Sequence, residues 1–184
     1  MLQKIRIPAV ILLLALFTFQ ASALESAVLF KNFTTEFSAS WYIHDNGGTP
    51  KIRVTLLYVN YDITGWPGST NGLWMGIGFG SATMINSDVI TCMYFFPGFA
   101  VCEDRYSTAH ERPELDSTTS DVELIDNHLY QNNVGNRLLG TFEVTFDKPL
   151  STGDATQDYI LTPGSMVDII WAQGLKVSTN MGIH

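Results

Sequence analysis

Basic residues are scarce in this sequence of 184 residues. Lys and Arg together number 10, against 18 Asp and Glu, so the formal net charge at pH 7 is −8. A protein with this charge repels phosphate groups, which argues against nucleic acid or an anionic membrane as a partner. We interpret the acidity as an ordinary solvated surface rather than as a docking surface for a basic protein.

Long apolar runs are also scarce, and the clearest one lies at the N-terminus. Residues 1–23 begin with Lys4 and Arg6, continue as IPAVILLLALFTF and end in ASA, which is the order of a secretory signal peptide and its cleavage site. The run is too short to span a bilayer comfortably, and no later run is long and apolar enough for a membrane helix. We therefore expect a secreted protein whose mature chain, residues 24–184, has lost two basic residues and carries a formal charge of −10 instead of −8.

Export would affect how two further features are interpreted, the two cysteines and a glycosylation triplet. Cysteine occurs only at Cys92 and Cys102, and an oxidising compartment makes a disulfide between them the first interpretation. The intervening PGF supplies a turn, so a bridge across a hairpin is geometrically plausible. The alternative is a pair of unlinked buried thiols. Asn32 begins the triplet NFT, a weak prediction of glycosylation because such triplets are common by chance.

Motifs for catalysis and metal binding are lacking. The four histidines show none of the spacings of copper or zinc centres, and no G-x-S-x-G elbow is present. GIGFG lies within a predicted strand and precedes no helix, so it does not predict a phosphate-binding loop. Paired carboxylates such as Asp121 and Glu123 cannot be told from solvated faces. These patterns do not predict a stand-alone enzyme.

The sequence does have the periodicity of β-strands. TEFSASWYIHD and TPKIRVTLLYVNYD flank a glycine-rich turn, and the second of them alternates apolar and polar residues. LWMGIGFG is apolar on both faces and is predicted to be a central strand, whereas SDVELIDNHLYQNN predicts two short strands or an irregular edge. Many short strands without an amphipathic helix predict one all-β domain, an antiparallel β-sandwich.

Four segments resemble one known family. GLWMGIGFGSATMINSDVI, VCEDRYS, RLLGTFEVTFDKPLSTGDATQDYIL and DIIWAQG occur in the order and spacing of the DOMON domain, an extracellular, immunoglobulin-like β-sandwich related to the cytochrome domain of cellobiose dehydrogenase. In members that bind haem b, a methionine and a histidine hold the iron. The resemblance implies that Met84 and His184 are these two metal ligands and that haem b is the cofactor.

The residues around Met84 extend this hypothesis. An apolar haem pocket is expected from side chains close to Met84 in sequence or on the next strand: Trp74, Ile77, Phe79, Ile85, Tyr94 and Phe96. His184 is the last residue, whereas the chains of relatives continue past this histidine. Either the sequence is cut short there or the site is degraded, and His128 is a possible substitute ligand.

Three functions follow from these expectations. The first is a secreted electron carrier of the cytochrome type, which exchanges electrons with a redox partner protein or a small reductant. The second is a haem-free carbohydrate-binding module, in which exposed aromatic rings such as Trp41, Trp66 and Tyr61 stack on sugars. The third is a cell-surface interaction module without a small ligand.

Overall fold

The computed structural model describes residues 26–45, 48–67, 69, 71–96, 98–116, 121–177 and 180–181. Over these residues the chain is all-β, and no helix among them has the length and apolarity needed to cross a membrane. The strands in chain order are β1 (Leu29–Asn32), β2 (Phe37–His44), β3 (Lys51–Asp62), β4 (Gly72–Phe79), β5 (Ser87–Phe95), β6 (Phe99–Ser107), β7 (Glu114–Leu115), β8 (Glu123–Val134), β9 (Arg137–Pro149), β10 (Ile169–Val177) and β11 (Asn180–Met181).

These strands form two antiparallel sheets that pack against each other. In the described part of the chain, a five-stranded sheet has the order β1-β2-β3-β9-β8, and a six-stranded sheet has the order β11-β10-β4-β5-β6-β7. The hydrophobic core lies between them and takes side chains from both. We call the core side of each sheet its inner face and the opposite side its outer face. The predicted fold class, an antiparallel β-sandwich, is confirmed.

Alternation of apolar and polar residues produces the centre of the five-stranded sheet. β3 pairs with β9, and Ile52, Val54 and Leu56 on β3 are buried. Val144 and Phe146 on β9 are fully buried as well, because a strand turns every second side chain to the same face. Burying one such side chain contributes about 1.5–3 kcal/mol relative to leaving it exposed. The strands predicted for these two segments are confirmed.

β4 lies between β10 and β5, and all eight of its residues are buried. Leu73, Met75 and Ile77 point to the inner face and belong to the core. The alternate positions, on the outer face, are Trp74 and the three glycines Gly72, Gly76 and Gly78. The prediction of a central strand is confirmed, and the two faces of this strand differ sharply in side-chain volume.

The β5–β6 hairpin carries the disulfide predicted from the two cysteines. Cys92 and Cys102 lie directly opposite each other in the strand register, with their Cα atoms 4.0 Å apart, and their sulfurs are bonded. The bond fixes the pairing of β5 with β6, beside the central strand.

β8 is the segment whose structure the sequence left open. It forms one strand of 12 residues along β9 at the edge of the five-stranded sheet, with a register shift between Leu124 and Asp126. Of the two alternatives, the irregular edge is the one observed. Most of its residues are exposed, so the apolar alternation that identifies a half-buried strand is weak there. β1, another exposed edge strand, was not predicted for the same reason.

Candidate functional site

The Met84 loop, residues 80–86, joins β4 to β5. Gly80 at its start has φ 87°, and Asn86 at its end has φ 60°. Glycine adopts this left-handed conformation without strain, and asparagine tolerates it better than most residues. A Cβ atom at position 80 would also collide with the ring of Tyr159. The chain therefore turns sharply at both ends of the loop, which presents Met84 between them as a half-buried side chain.

Hydrogen bonds on the C-terminal side of Met84 hold the loop in this shape. The Ser87 hydroxyl is fully buried and donates to the carbonyl oxygen of Thr83 at 2.6 Å. The backbone N–H of Asn86 donates to the carbonyl oxygen of Ser107 on β6 at 2.7 Å. These bonds tie the loop to itself and to the sheet, so the position of Met84 follows that of β5 and β6.

An apolar cleft of about 290 Å³ lies beside this loop on the outer face of the six-stranded sheet. The floor consists of β10, β4 and β5, and the Met84 loop contributes one side. The lining residues are Trp74, Gly76, Ile77, Gly78, Ala82, Thr83, Met84, Val89, Thr91, Pro113, Ile170, Trp171 and Ala172. Among the described residues that line the cleft none is charged, so it suits an apolar ligand better than a polar one.

Two glycines lie in the floor of the cleft, and the packing of neighbouring atoms requires glycine at only one of them. At Gly78, a Cβ atom would lie 2.7 Å from Cγ1 of Ile170, so the packing of β10 against β4 excludes a side chain. At Gly76, a Cβ atom would make ordinary contacts, the nearest at 3.4 Å to Cγ2 of Thr91. Packing alone does not require glycine at position 76. What its missing side chain provides is free space above the strand.

The structure divides the predicted haem-pocket residues between several places. Trp74 lines the cleft on the outer face, and Ile77 borders it while belonging to the core. Phe79 and Tyr94 are core residues on the inner face, 2% exposed each. Phe96 packs against the core, and Ile85 is 38% exposed on the loop without lining the cleft. Of the six predicted residues, Trp74 and Ile77 therefore border the cleft that Met84 also lines.

The other predicted site residues lie elsewhere. His184 is outside the described residues. His128 is on β8 in the other sheet, with its side chain 45% exposed and its Nε2 3.0 Å from Oδ2 of Asp126. Asn32 is exposed on β1. None of these three is described next to the Met84 loop.

The residues of the cleft that the sequence did not predict include some far from Met84 along the chain and some close to it. Ile170 and Ala172 come from β10, which pairs with β4 throughout its length. Val89 and Thr91 occupy outer-face positions of β5, alternating with the core residue Ile90. The alternation in each strand was visible in the sequence and would have found these four residues once the outer face had been chosen.

A buried charged cluster lies behind the loop. The Lys148 ammonium is 2.7 Å from Oδ1 of Asp158, 3.0 Å from Oδ2 of Asp104 and 3.3 Å from Oδ2 of Asp88. All four side chains are at most 3% exposed. We call these residues the Lys148 cluster. Carboxylate oxygens of the three aspartates also lie within 4.8 Å of one another, a spacing that fits a metal ion, but the Lys148 ammonium already provides a cation among them.

Burial dominates the electrostatics of this cluster. It raises the pKa of Asp88 to about 7, although Lys148 and the backbone N–H of Tyr159 act in the opposite direction. Burial likewise raises the pKa of Asp104. For Lys148, burial disfavours the charged form, but the three carboxylates outweigh it and raise the pKa above its ordinary value. The lysine is therefore charged at neutral pH, and its single positive charge is shared among three aspartate side chains.

The aromatic residues proposed for sugar stacking are less exposed than predicted. Trp66 is 5% exposed, with its ring centroid 5.6 Å from that of Tyr61 and 5.7 Å from that of Phe142. The expectation that Trp66 is exposed is wrong, because the ring fills the core at the end of β3. Trp41 is half-buried and lines a separate apolar cavity of about 200 Å³. These three rings do not form a flat exposed platform.

Comparison with known proteins agrees with the resemblance. A search of curated proteins gave no match. The sequence model of the DOMON domain matches residues 35–174, a range that runs from just before β2 into β10 and includes the Met84 loop, the disulfide and the Lys148 cluster. This match covers most of the chain, and the protein belongs to the DOMON domain family.

Proposed function

We propose that this domain binds haem b in the outer-face cleft, with Met84 as one axial ligand of the iron, and that it transfers electrons outside the cell. The observation that supports this most is the position of Met84, which lines an apolar cleft together with Trp74 and Gly76. His184 is the second proposed ligand, on the family resemblance. Secretion is proposed from residues 1–23.

The lining of the cleft fits a porphyrin. Trp74, Val89 and Ile170 offer apolar surface to a flat ring. Gly76 leaves the backbone of β4 accessible, so a ring could approach the sheet closely. The thioether of Met84 is a soft, neutral donor of the kind that haem iron accepts.

The chemistry proposed for the site is electron transfer. Bound haem would supply a one-electron couple between ferric and ferrous iron. Met84 and His184 would hold the iron, and the thioether of Met84 would favour the ferrous form and raise the reduction potential. With both of these ligands supplied by protein side chains, the iron would have no site for dioxygen or a substrate. We therefore propose an electron carrier, supplied by a redox partner protein or a small reductant, rather than an enzyme.

A haem titration of wild type and two glycine variants tests this proposal. In Gly76→Val the new methyl groups would occupy the cleft, and we expect haem affinity to fall about tenfold or more, since overpacking typically costs about 1–3 kcal/mol. Gly65→Val is the matched control, because a Cβ atom at Gly65 meets nothing within 4 Å. We expect this control to bind haem as wild type does.

The outcomes separate the candidate functions. Wild-type haem binding that Gly76→Val leaves unchanged would contradict the proposed cleft. A wild type that binds no haem but retains oligosaccharides would select the carbohydrate-binding module, and a wild type that binds neither would select the interaction module.

A further inference from the structure

The Lys148 cluster is joined directly to the Met84 loop. Asp88 follows the loop on β5 and accepts a hydrogen bond from the backbone N–H of Tyr159 at 3.0 Å, besides its ion pair with Lys148. The ring of the same tyrosine packs against Gly80 at the start of the loop. One segment, residues 158–159, thus contacts the start of the loop at Gly80 and the strand that follows the loop at Asp88, and the cluster holds that segment against β5.

The charges of the cluster do not balance. Fully ionised, it would hold one positive charge on Lys148 and three negative charges on Asp88, Asp104 and Asp158, on side chains that are at most 3% exposed. Within the described residues, Oδ1 of Asp88 and Oδ1 of Asp104 are buried without a hydrogen-bond partner. An unpaired buried charge is costly, and a carboxyl group in such a place binds a proton instead.

We propose that the Lys148 cluster holds a proton in this structure that it gives up when the Met84 loop opens, and that it therefore acts as a pH-responsive anchor of the loop, which loosens as the pH rises from acidic to neutral values. The anchor is a property of the protein chain alone. Its consequence for the iron, a methionine ligand held less firmly as the pH rises, rests on the proposed function.

The direction of the pH effect follows from the pKa of Asp88. We call the structure described above the closed form, and a form in which the loop has moved away and Asp88 meets water the open form. The pKa of Asp88 is about 7 in the closed form, against an ordinary value of 3.8. The closed form therefore binds more protons than an open form in which Asp88 meets water. Closure is favoured most below pH 3.8, and this contribution is lost as the pH rises towards 7. Above about pH 7 both forms are deprotonated and the effect levels off.

The groups that face Asp88 come from every element packed around it. Lys148 reaches it from β9, Asp104 from β6, and Asp158 from the segment before β10. Asp116 acts on Asp104 from beyond β7. The ring of Tyr106 lines the adjoining surface cleft with Asp88. Of these groups only Lys148 is positively charged. Lowering the pH protonates a carboxylate and so reduces the excess negative charge of the cluster.

Amide hydrogen exchange, followed by NMR from pH 5 to pH 8 on the protein without added haem, tests the anchor. The reporters are the amides of Gly80, Asn86 and Tyr159, whose hydrogen bonds hold the two ends of the loop and the segment that contacts them. After correction for intrinsic exchange, we expect their opening constants to rise by up to about tenfold per pH unit from pH 5 to pH 7 and then to level off. The amide of Ile63, bonded to Leu138 at the far end of the sandwich, is the internal control and should not follow this curve.

A variant pair completes the test. Asp88→Asn keeps the volume and an acceptor for Tyr159 but removes the titrating group, so the pH dependence should disappear. Asp126→Asn removes an exposed carboxylate on β8 and should retain the wild-type curve. A flat wild-type curve, or an Asp88→Asn curve like that of wild type, would overturn the proposal. If Asp88→Asn fails to fold, the wild-type curve alone decides between the two results.

A haem-loaded sample separates this inference from the proposed function. We expect the low-spin spectrum of wild type to weaken from pH 5 to pH 8 and that of Asp88→Asn to stay constant. A protein that binds no haem refutes the proposed function and leaves the exchange result standing. A spectrum that stays constant while the amides open would show that the anchor does not affect how Met84 binds the iron.

Discussion

The two faces of the six-stranded sheet are built from the same strands but serve different purposes. On the inner face, β4 contributes Leu73, Met75 and Ile77 to a core in which each is at most 1% exposed. On the outer face, the same strand contributes Trp74 and Gly76 to an open apolar cleft. The inner face is closed by side-chain volume, whereas the outer face lacks it at the point where Met84 approaches. The difference separates residues that pack into the core from residues that border the cleft.

The largest effect on stability is expected between the sheets, at Lys148. Lys148→Met would leave the buried aspartates without their cation, and removing one partner of a buried ion pair costs about 3–5 kcal/mol. Lys51→Met, which breaks a partly exposed pair with Glu123, should cost at most about 1 kcal/mol. Urea unfolding of both variants at pH 7 measures the difference. Equal losses would show that the buried cluster contributes no more than a surface pair.

A smaller difference in stability is expected between variants of two methionines, Met75 on the inner face and Met84 at the outer-face cleft. Met75→Ala would open a cavity in the core, and we expect a loss of about 2–5 kcal/mol in the free energy of unfolding. Met84→Ala removes a half-buried side chain from a loop and should change stability by less than about 1 kcal/mol. Thermal and urea unfolding of the two variants, without haem, give both numbers. A loss at Met84 as large as that at Met75 would mean that Met84 is a core residue rather than an available ligand.

Much of the fold could be predicted because strand periodicity reports which residues face the core. The alternation in β3 and β9, the central position of β4 and the disulfide between Cys92 and Cys102 all follow from local pattern and compartment. β8 could not be assigned in the same way, because an exposed edge strand pairs through its backbone while its side chains leave no clear pattern.

The candidate site was less predictable because it is assembled across strands. Met84 was chosen only through the family resemblance, and its neighbours were sought by closeness in sequence, which mixed the two faces of the sheet. Phe79 and Tyr94 are close to Met84 along the chain or on the next strand, but they alternate onto the inner face. Ile170 is distant along the chain but lies on the outer face.

The Lys148 cluster also has a pattern in the sequence. Lys148 occupies the same parity as Val144 and Phe146 along β9, so alternation alone directs it to the core. Asp88 continues the inner-face series of β5 in the same way. Charged residues at core-facing positions predict a buried ion pair, but the sequence does not say which residues on other strands complete it.

The most direct test of the central claim is the ferric absorption spectrum of the haem-loaded protein at the red edge of the visible range. Sulfur ligation of low-spin ferric haem gives a weak charge-transfer band there, and we expect wild type to show it and Met84→Ala to lack it. Met166→Ala is the matched control, because Met166 is 99% exposed, and it should keep the band. A wild type without the band, or a Met84→Ala variant that retains it, would contradict Met84 as the ligand of the iron.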